Sequence, residues 1–217
     1  MATAAEGHAA LMDSVYRGQR HVYDATRKFF LFGRDTLIEE LRCRPGQHLL
    51  EIGCGTGRNL ARIARRWPEA TLHGLDISSE MLKSAQAALG RGARLALGDA
   101  TGFDARGLFG RDSFDRIAIS FAVSMIPEWK AAVAQACGLL APGGMLKIVD
   151  FGDLAGLPAP LRAILRAWLA HFHVTPRLDL AAFAAEFASA RGLTAKIRRG
   201  PLGYYQLVTI TRPASFD

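Results

Sequence analysis

The sequence predicts an α/β fold: a mixed sheet of seven strands with helices on both faces and an antiparallel final strand. Three observations carry that expectation. From residue 47 short apolar runs alternate with stretches of helical periodicity, the pattern of successive βαβ units. A glycine-rich loop, "EIGCGTGRN" at 51–59, falls between the first such run and the helix after it. The last two strand-like runs, 194–199 and 203–212, are separated by so short a Gly-Pro link that they must form an antiparallel hairpin, because a parallel return needs a crossover.

Taken in order, "HLLEIG" (48–53) reads as a buried strand, and "RNLARIARRW" (58–67) places Leu60, Ile63, Ala64 and Trp67 on one helical face before Pro68 ends it. "TLHGLDI" (71–77) is the second strand, and Ser78 or Ser79 caps the helix "SEMLKSAQAAL" behind it. "ARLALGDA" (93–100) and "FDRIAISFAV" (114–123) are the third and fourth strands. A helix from Pro127 to Leu140, a turn at 142–144 and the strand "MLKIVDF" (145–151) follow. Beyond a Gly/Pro break come an amphipathic helix at 161–172, a helix near 180–190 and the hairpin. Arg34 begins a helix ahead of the first strand. No repeat or linker divides the chain, so 1–217 is expected to be one domain: residues 1–44 an N-terminal helical lid, 45–151 the βαβ core, 152–217 the last helices and the terminal hairpin.

The 217 residues are half hydrophobic and carry a formal net charge of +7, with no uninterrupted apolar run of membrane-spanning length. The excess charge is polarised to two segments. Residues 158–200 hold seven basic side chains against two acidic ones, and residues 10–34 hold five against two. Such a surface suits nucleic acid, anionic headgroups or an acidic small molecule. Three cysteines, Cys43, Cys54 and Cys137, form no CxxC pair and no even set, which argues against disulfides and zinc and for a reducing cytoplasm. The first residues lack the basic and apolar regions of a secretory signal, and no export is expected.

In the loop, Gly53, Gly55 and Gly57 let the backbone turn sharply and approach a ligand. Arg58 stands where a dinucleotide fingerprint needs its third glycine, so the pattern is GxGxG. The second strand ends in Asp76, where a carboxylate can accept from both ribose hydroxyls, and the third in Gly98-Asp99-Ala100, where another can accept from an adenine amine. Carboxylates at successive strand ends beside such a loop point to a nucleoside cofactor.

Over residues 47–151 these features resemble the class I S-adenosylmethionine-dependent methyltransferases, a Rossmann-like fold. The resemblance implies S-adenosyl-L-methionine as cofactor and no metal. It places Gly53, Gly55 and Gly57 along the methionine moiety, Asp76 on the ribose, Asp99 and Ala100 at the adenine, and Ile77 and Met81 against the nucleoside, with Glu51, Cys54, Thr56 and Asn59 also binding the cofactor. Ser120 and Phe121, ending the fourth strand, would face the transferred methyl, although Phe121 is equally a core residue. Similarity to amine methyltransferases gives Arg34 the cofactor carboxylate.

Fold alone names no acceptor. After the fourth strand stands "SFAVSM", not the NPPY-type tetrad of base methyltransferases, and no nucleic-acid partner is expected. The helix at 161–172 either covers the sheet or lies on a bilayer. Together, "MDSVYRGQRHVYDATRKFFLFGRDTLIEEL" (12–41) and "HFHVTPR" (171–177) resemble the bacterial betaine-lipid N-methyltransferases. That resemblance implies stepwise methylation of the amine of diacylglyceryl-homoserine to the trimethylhomoserine lipid, by a cytoplasmic enzyme held peripherally on the inner face of an anionic membrane. The amine must be deprotonated for each transfer, by water, a carboxylate, His171 or His173, and aromatic faces stabilise the cation formed. Tyr23, Tyr204 and Tyr205 are the aromatic candidates, Tyr23 also touching the cofactor. Tyr204 and Tyr205 are expected on opposite faces of a strand, so that only one reaches the site. Arg20, Arg27, Lys28 and Arg177 are candidates for the acceptor carboxylate. Rival readings are another lipid or quinone methyltransferase, such as a phosphatidylethanolamine N-methyltransferase, and a non-catalytic cofactor-binding or nucleic-acid-binding protein. A homo-oligomer is left open.

Overall fold

A computed structural model describes residues 32–172 and 174–214. Seven strands form one sheet in the order β3-β2-β1-β4-β5-β7-β6. They are β1 (His48–Ile52), β2 (Thr71–Asp76), β3 (Arg94–Leu97), β4 (Phe114–Ser120), β5 (Leu140–Phe151), β6 (Thr194–Arg199) and β7 (Tyr205–Thr211). Pairing is parallel from β3 through β5, and β7 runs antiparallel to both β5 and β6. The seven described helices are α1 (Arg34–Leu41), α2 (Arg58–Arg66), α3 (Ser79–Leu89), α4 (Ala105–Phe109), α5 (Trp129–Gly138), α6 (Ala159–His171) and α7 (Leu180–Ser189).

Alternation along the strands divides the core in two. One face gathers Leu50, Ile52, Ile117, Ile119 and Ile148 with side chains of α4, α5 and α7. The other gathers Leu49, Ala118, Val149 and Leu207 with side chains of α1, α2, α3 and α6. Each large aliphatic residue fully withdrawn from water contributes about 2 kcal/mol, so both helical layers are held chiefly by burial. Lys147 crosses the second face as a buried cation, its Nζ donating to Glu40 Oε2 at 2.7 Å and to Thr209 Oγ1 at 3.0 Å. Glu40 also bonds Arg198, so one carboxylate ties α1 to the sheet and its edge strand.

Local chemistry explains most element ends. Ser78 caps α3, its Oγ accepting from the Met81 N–H at 3.3 Å. The fourth strand stops at Ser120, three residues before its expected end, because Phe121 takes a left-handed conformation at φ +53°. Helix α5 starts at Trp129, two residues after Pro127. Helix α4, five residues with an internal glycine, had no periodicity from which to expect it.

Candidate functional site

Strand order reverses at β1, whose chain leads outward to β2 and β3 on one side while β4 and β5 lie on the other. The loops leaving β1 and β4 therefore diverge, and ligands of open α/β sheets bind in that crevice. Here the loops also touch: a Cβ on Gly53 would lie 2.6 Å from Ala122 Cβ.

The glycine loop is held from β2. Leu75 O accepts the N–H groups of Gly53 and Cys54, at 2.8 and 3.0 Å. Asp76, buried at the end of β2, accepts from the Gly55 N–H at 2.7 Å through Oδ2 and from the Ser78 N–H at 2.9 Å through Oδ1. Glu51 accepts from Asn59 Nδ2 at 2.6 Å, fastening the end of β1 to the first turn of α2. Burial pushes the Cys54 thiol well above its ordinary pKa, with the carboxylates of Asp76 and Glu51 adding to the effect, so it stays neutral. Asp99 receives both the N–H and the hydroxyl of Thr101 at 2.8 Å, which orients its carboxylate beyond β3.

These residues fit an S-adenosylmethionine molecule on structural grounds. A Cβ on Gly55 would meet nothing within 4 Å, leaving open space beside the loop, whereas at Gly57 it would lie 2.8 Å from Leu89 Cδ1. Asn59 Oδ1, in the first turn of α2, and Ser120 Oγ, at the end of β4, are buried without a hydrogen-bond partner, and buried polar atoms normally have one. Ile77 and Ala100 are half-buried, Met81 and Arg34 buried, and Thr56 half-buried within the loop. The Phe121 side chain belongs to the core, its ring centroid 4.9 Å from that of Phe151.

A second feature adjoins the first. A cleft of about 670 Å³ opens beside the ends of β5 and β7, lined by Phe32, Gly33, Leu157, Leu161, Ile164, Leu165, Trp168, Pro201, Leu202, Tyr204 and Tyr205. Its walls are almost wholly apolar. Aromatic rings connect it to the crevice: Phe151 lies between Phe121, at 4.9 Å, and Tyr204, at 6.1 Å, and Tyr204 meets Phe32 edge-on at 5.2 Å. Tyr204 O–H is buried without a partner, and burial raises its pKa to about 12, so the phenol stays protonated.

One sequence expectation is corrected here. Tyr204 and Tyr205 line the same cleft, because Tyr204 has helical dihedrals in the turn before β7 and the strand's alternation begins only at Tyr205. The Tyr205 ring is wedged between Gly33 and Gly200, where an added Cβ would lie 2.7 and 2.5 Å from it. His171 is exposed at the last turn of α6, edge-on to Phe172 and outside the cleft lining. Arg177 points inward, its guanidinium donating to the carbonyls of Ile126 at 2.8 Å and Val123 at 3.4 Å, and so acts as a tie across the loop after β4. Tyr23, His173, Arg20, Arg27 and Lys28, with most of the expected lid, lie outside the described residues.

Comparison with known proteins agrees with this geometry. Residues 49–144 match the family model described as a methyltransferase domain. The ubiquinone/menaquinone biosynthesis C-methyltransferase UbiE of Dinoroseobacter shibae is 28% identical over 220 residues, covering 96% of this chain and 84% of that protein. The trans-aconitate 2-methyltransferase of Methylobacterium radiotolerans is 34% identical over 144 residues, covering 61% of this chain and 52% of that protein. The nocamycin O-methyltransferase of Saccharothrix syringae is 31% identical over 188 residues, with 84% and 63% covered. This chain thus spans about half to two-thirds of the length of the latter two. Among solved structures, the plantazolicin methyltransferase BpumL, in complex with a triazolic desmethylPZN analog and SAH, superposes with a TM-score of 0.71 at 18% identity over 96% of this chain and 97% of that one. Residues 49–144 thus match a methyltransferase domain, and the sheet order and glycine loop agree with that match. The cofactor is S-adenosyl-L-methionine. Among the described residues no helix is long and apolar enough to cross a membrane, and no His/Cys/Asp/Glu group could hold a metal ion.

Proposed function

We propose that the enzyme methylates the amine of a lipid headgroup, with diacylglyceryl-homoserine as acceptor and the trimethylhomoserine betaine lipid as the product of three transfers. The observation that supports this best is the apolar cleft of about 670 Å³ alongside the cofactor crevice, a size and lining that suit hydrocarbon. When bound, S-adenosylmethionine supplies an electrophilic sulfonium methyl. The chain's own task is to hold a neutral amine in line with it and to exclude water. The cleft would bind the hydrocarbon and so place the headgroup toward the Phe121 end of the aromatic row. Faces of Phe151 and Tyr204 would then stabilise positive charge growing on nitrogen without competing for its lone pair. The proton leaves to water or to a nearby base. On this reading Tyr23 and His173, outside the described residues, would serve the headgroup. Arg34, buried at the start of α1, would take the cofactor carboxylate.

A second reading is C-methylation of a quinone-type ring, favoured by the similarity to a ubiquinone/menaquinone C-methyltransferase across nearly the whole chain. One assay separates them: labelled methyl donor is incubated with detergent-dispersed diacylglyceryl-homoserine, phosphatidylethanolamine and an unmethylated quinone precursor. Label in the homoserine lipid is expected. Label only in the quinone, or only in phosphatidylethanolamine, would replace the leading acceptor.

A further inference from the structure

We infer that the mouth of the apolar cleft is a docking face that seats on a membrane leaflet containing anionic lipid, so that an acceptor enters the cleft sideways from the leaflet. This rests on the lipid-acceptor reading. Phe32, Leu161, Ile164 and Leu202 are 58, 50, 67 and 57% exposed, and all four line this one cleft. Soluble surfaces scatter such residues; converging on one opening, they mark an interaction site.

Helix α6 shows why the patch is not simply an incomplete core. Leu161, Ile164, Leu165 and Trp168 follow helical spacing along one side. Leu165 and Trp168 pack against the second core cluster, which already holds Leu169 buried, while Leu161 and Ile164 stand beyond it in solvent. The sheet is therefore covered without the outer pair, and their exposure serves something outside the fold.

The charge around the patch selects the partner. From 154 to 178 the chain has no Asp or Glu, while α6 carries Arg162, next to Leu161, and Arg166, which donates to the Asp153 carbonyl at 3.1 Å. Asp153, the carboxylate just before this stretch, is taken by Arg199 at 2.6 Å. An apolar ridge on a helix that carries basic and no acidic side chains is how an interfacial helix meets anionic headgroups, its apolar side chains entering the acyl boundary. A lipid leaving the leaflet would then pass from acyl chains directly to the apolar walls of the cleft.

The test is co-sedimentation of the full chain, without cofactor, with vesicles of phosphatidylcholine alone and of phosphatidylcholine mixed with phosphatidylglycerol. Binding is expected only to the anionic vesicles, weakening as salt rises. Arg162→Gln should weaken it about fivefold, as one basic residue near such a surface does. Ile164→Glu combined with Leu161→Glu should abolish it with an unchanged melting temperature, since both side chains are exposed. Arg162→Gln should also keep full methyl transfer to detergent-dispersed acceptor, which separates docking from chemistry. Equal binding to both vesicle types, or parent-like sedimentation of the double variant, would overturn the inference. So would a parent that ignores vesicles but elutes as a dimer that the double variant dissociates, since the patch would then be covered by a second copy. Failure of docking with methyl transfer to the lipid intact leaves the proposed function standing; the reverse outcome removes the acceptor and keeps the docking face.

Discussion

Two neighbouring glycines of the loop should respond to the same substitution in opposite ways. Gly55 has φ +55° and Gly57 φ +75°, so an alanine at either costs about 1 to 2 kcal/mol of left-handed strain. At Gly55 nothing further is added to the folded protein, because the new methyl projects into space with no atom within 4 Å. At Gly57 the methyl would lie 2.8 Å from Leu89 Cδ1 and 3.1 Å from Ala85 Cβ, where α2 packs on α3, and overpacking of that kind adds about 1 to 3 kcal/mol. Gly57→Ala should therefore lose about 2 to 5 kcal/mol of stability and Gly55→Ala only about 1 to 2. The order reverses for binding. On the proposed placement the cofactor fills the space in front of Gly55, so titration of S-adenosylhomocysteine into folded Gly55→Ala by calorimetry should show at least a tenfold loss of affinity. Parent-like affinity in Gly55→Ala, or equal denaturant midpoints for the two variants, would refute this assignment of the open space.

Three further outcomes follow from particular contacts. Asp76→Ala removes the acceptor of the Gly55 and Ser78 N–H groups, so stability should fall by about 2 to 4 kcal/mol and binding of S-adenosylhomocysteine should be lost; calorimetry on the folded fraction checks it. Arg177→Ala should lower the melting temperature by loosening the loop after β4 while leaving cofactor affinity within about threefold, because its guanidinium serves backbone carbonyls and not the crevice. Gly33→Ala should destabilise through both its φ of +90° and a Cβ 2.7 Å from the Tyr205 ring, and should reshape the cleft, read as weaker uptake of a fluorescent lipid.

The cofactor half of the site was legible because its chemistry is local. A strand, a GxGxG turn and a helix lie within 48–66, and a carboxylate at each of the next two strand ends can be read without knowing how the strands pair. The cleft was not legible, because residues 32–33, 157–168 and 201–205 meet only once β7 inserts antiparallel beside β5. Tyr204 shows the scale of the difficulty: moving the start of β7 by two residues turns a side chain expected on the opposite face into part of the same wall. The contacts of Arg177 were hidden for a related reason: its sequence neighbours offer it to an acceptor carboxylate, while the carbonyls it binds belong to a loop more than fifty residues earlier.

The opposite end of β1 and β2 carries a pair the cofactor chemistry does not use. His73, 4% exposed, lies with Nε2 3.2 Å from His48 Nδ1 and between the ring edges of Phe109 and Phe114. Burial first, then the charges of His48, Arg111 and Arg94, lowers its pKa from 6.5 to about 4, while Asp115 accepts the His48 backbone N–H. The unfolded chain thus binds a proton near pH 6.5 that the folded chain refuses until about pH 4. Stability contributed by neutral His73 is complete above pH 6.5 and drains away as pH falls toward 4, by about 3 kcal/mol over the window. Urea midpoints measured from pH 7.5 downward should fall accordingly, and His73→Phe, which keeps an aromatic ring against Phe109 and Phe114, should flatten the decline. A parent curve level through that range, or a variant curve parallel to it, would mean that His73 takes up its proton in the folded state and that the pocket around it opens to water.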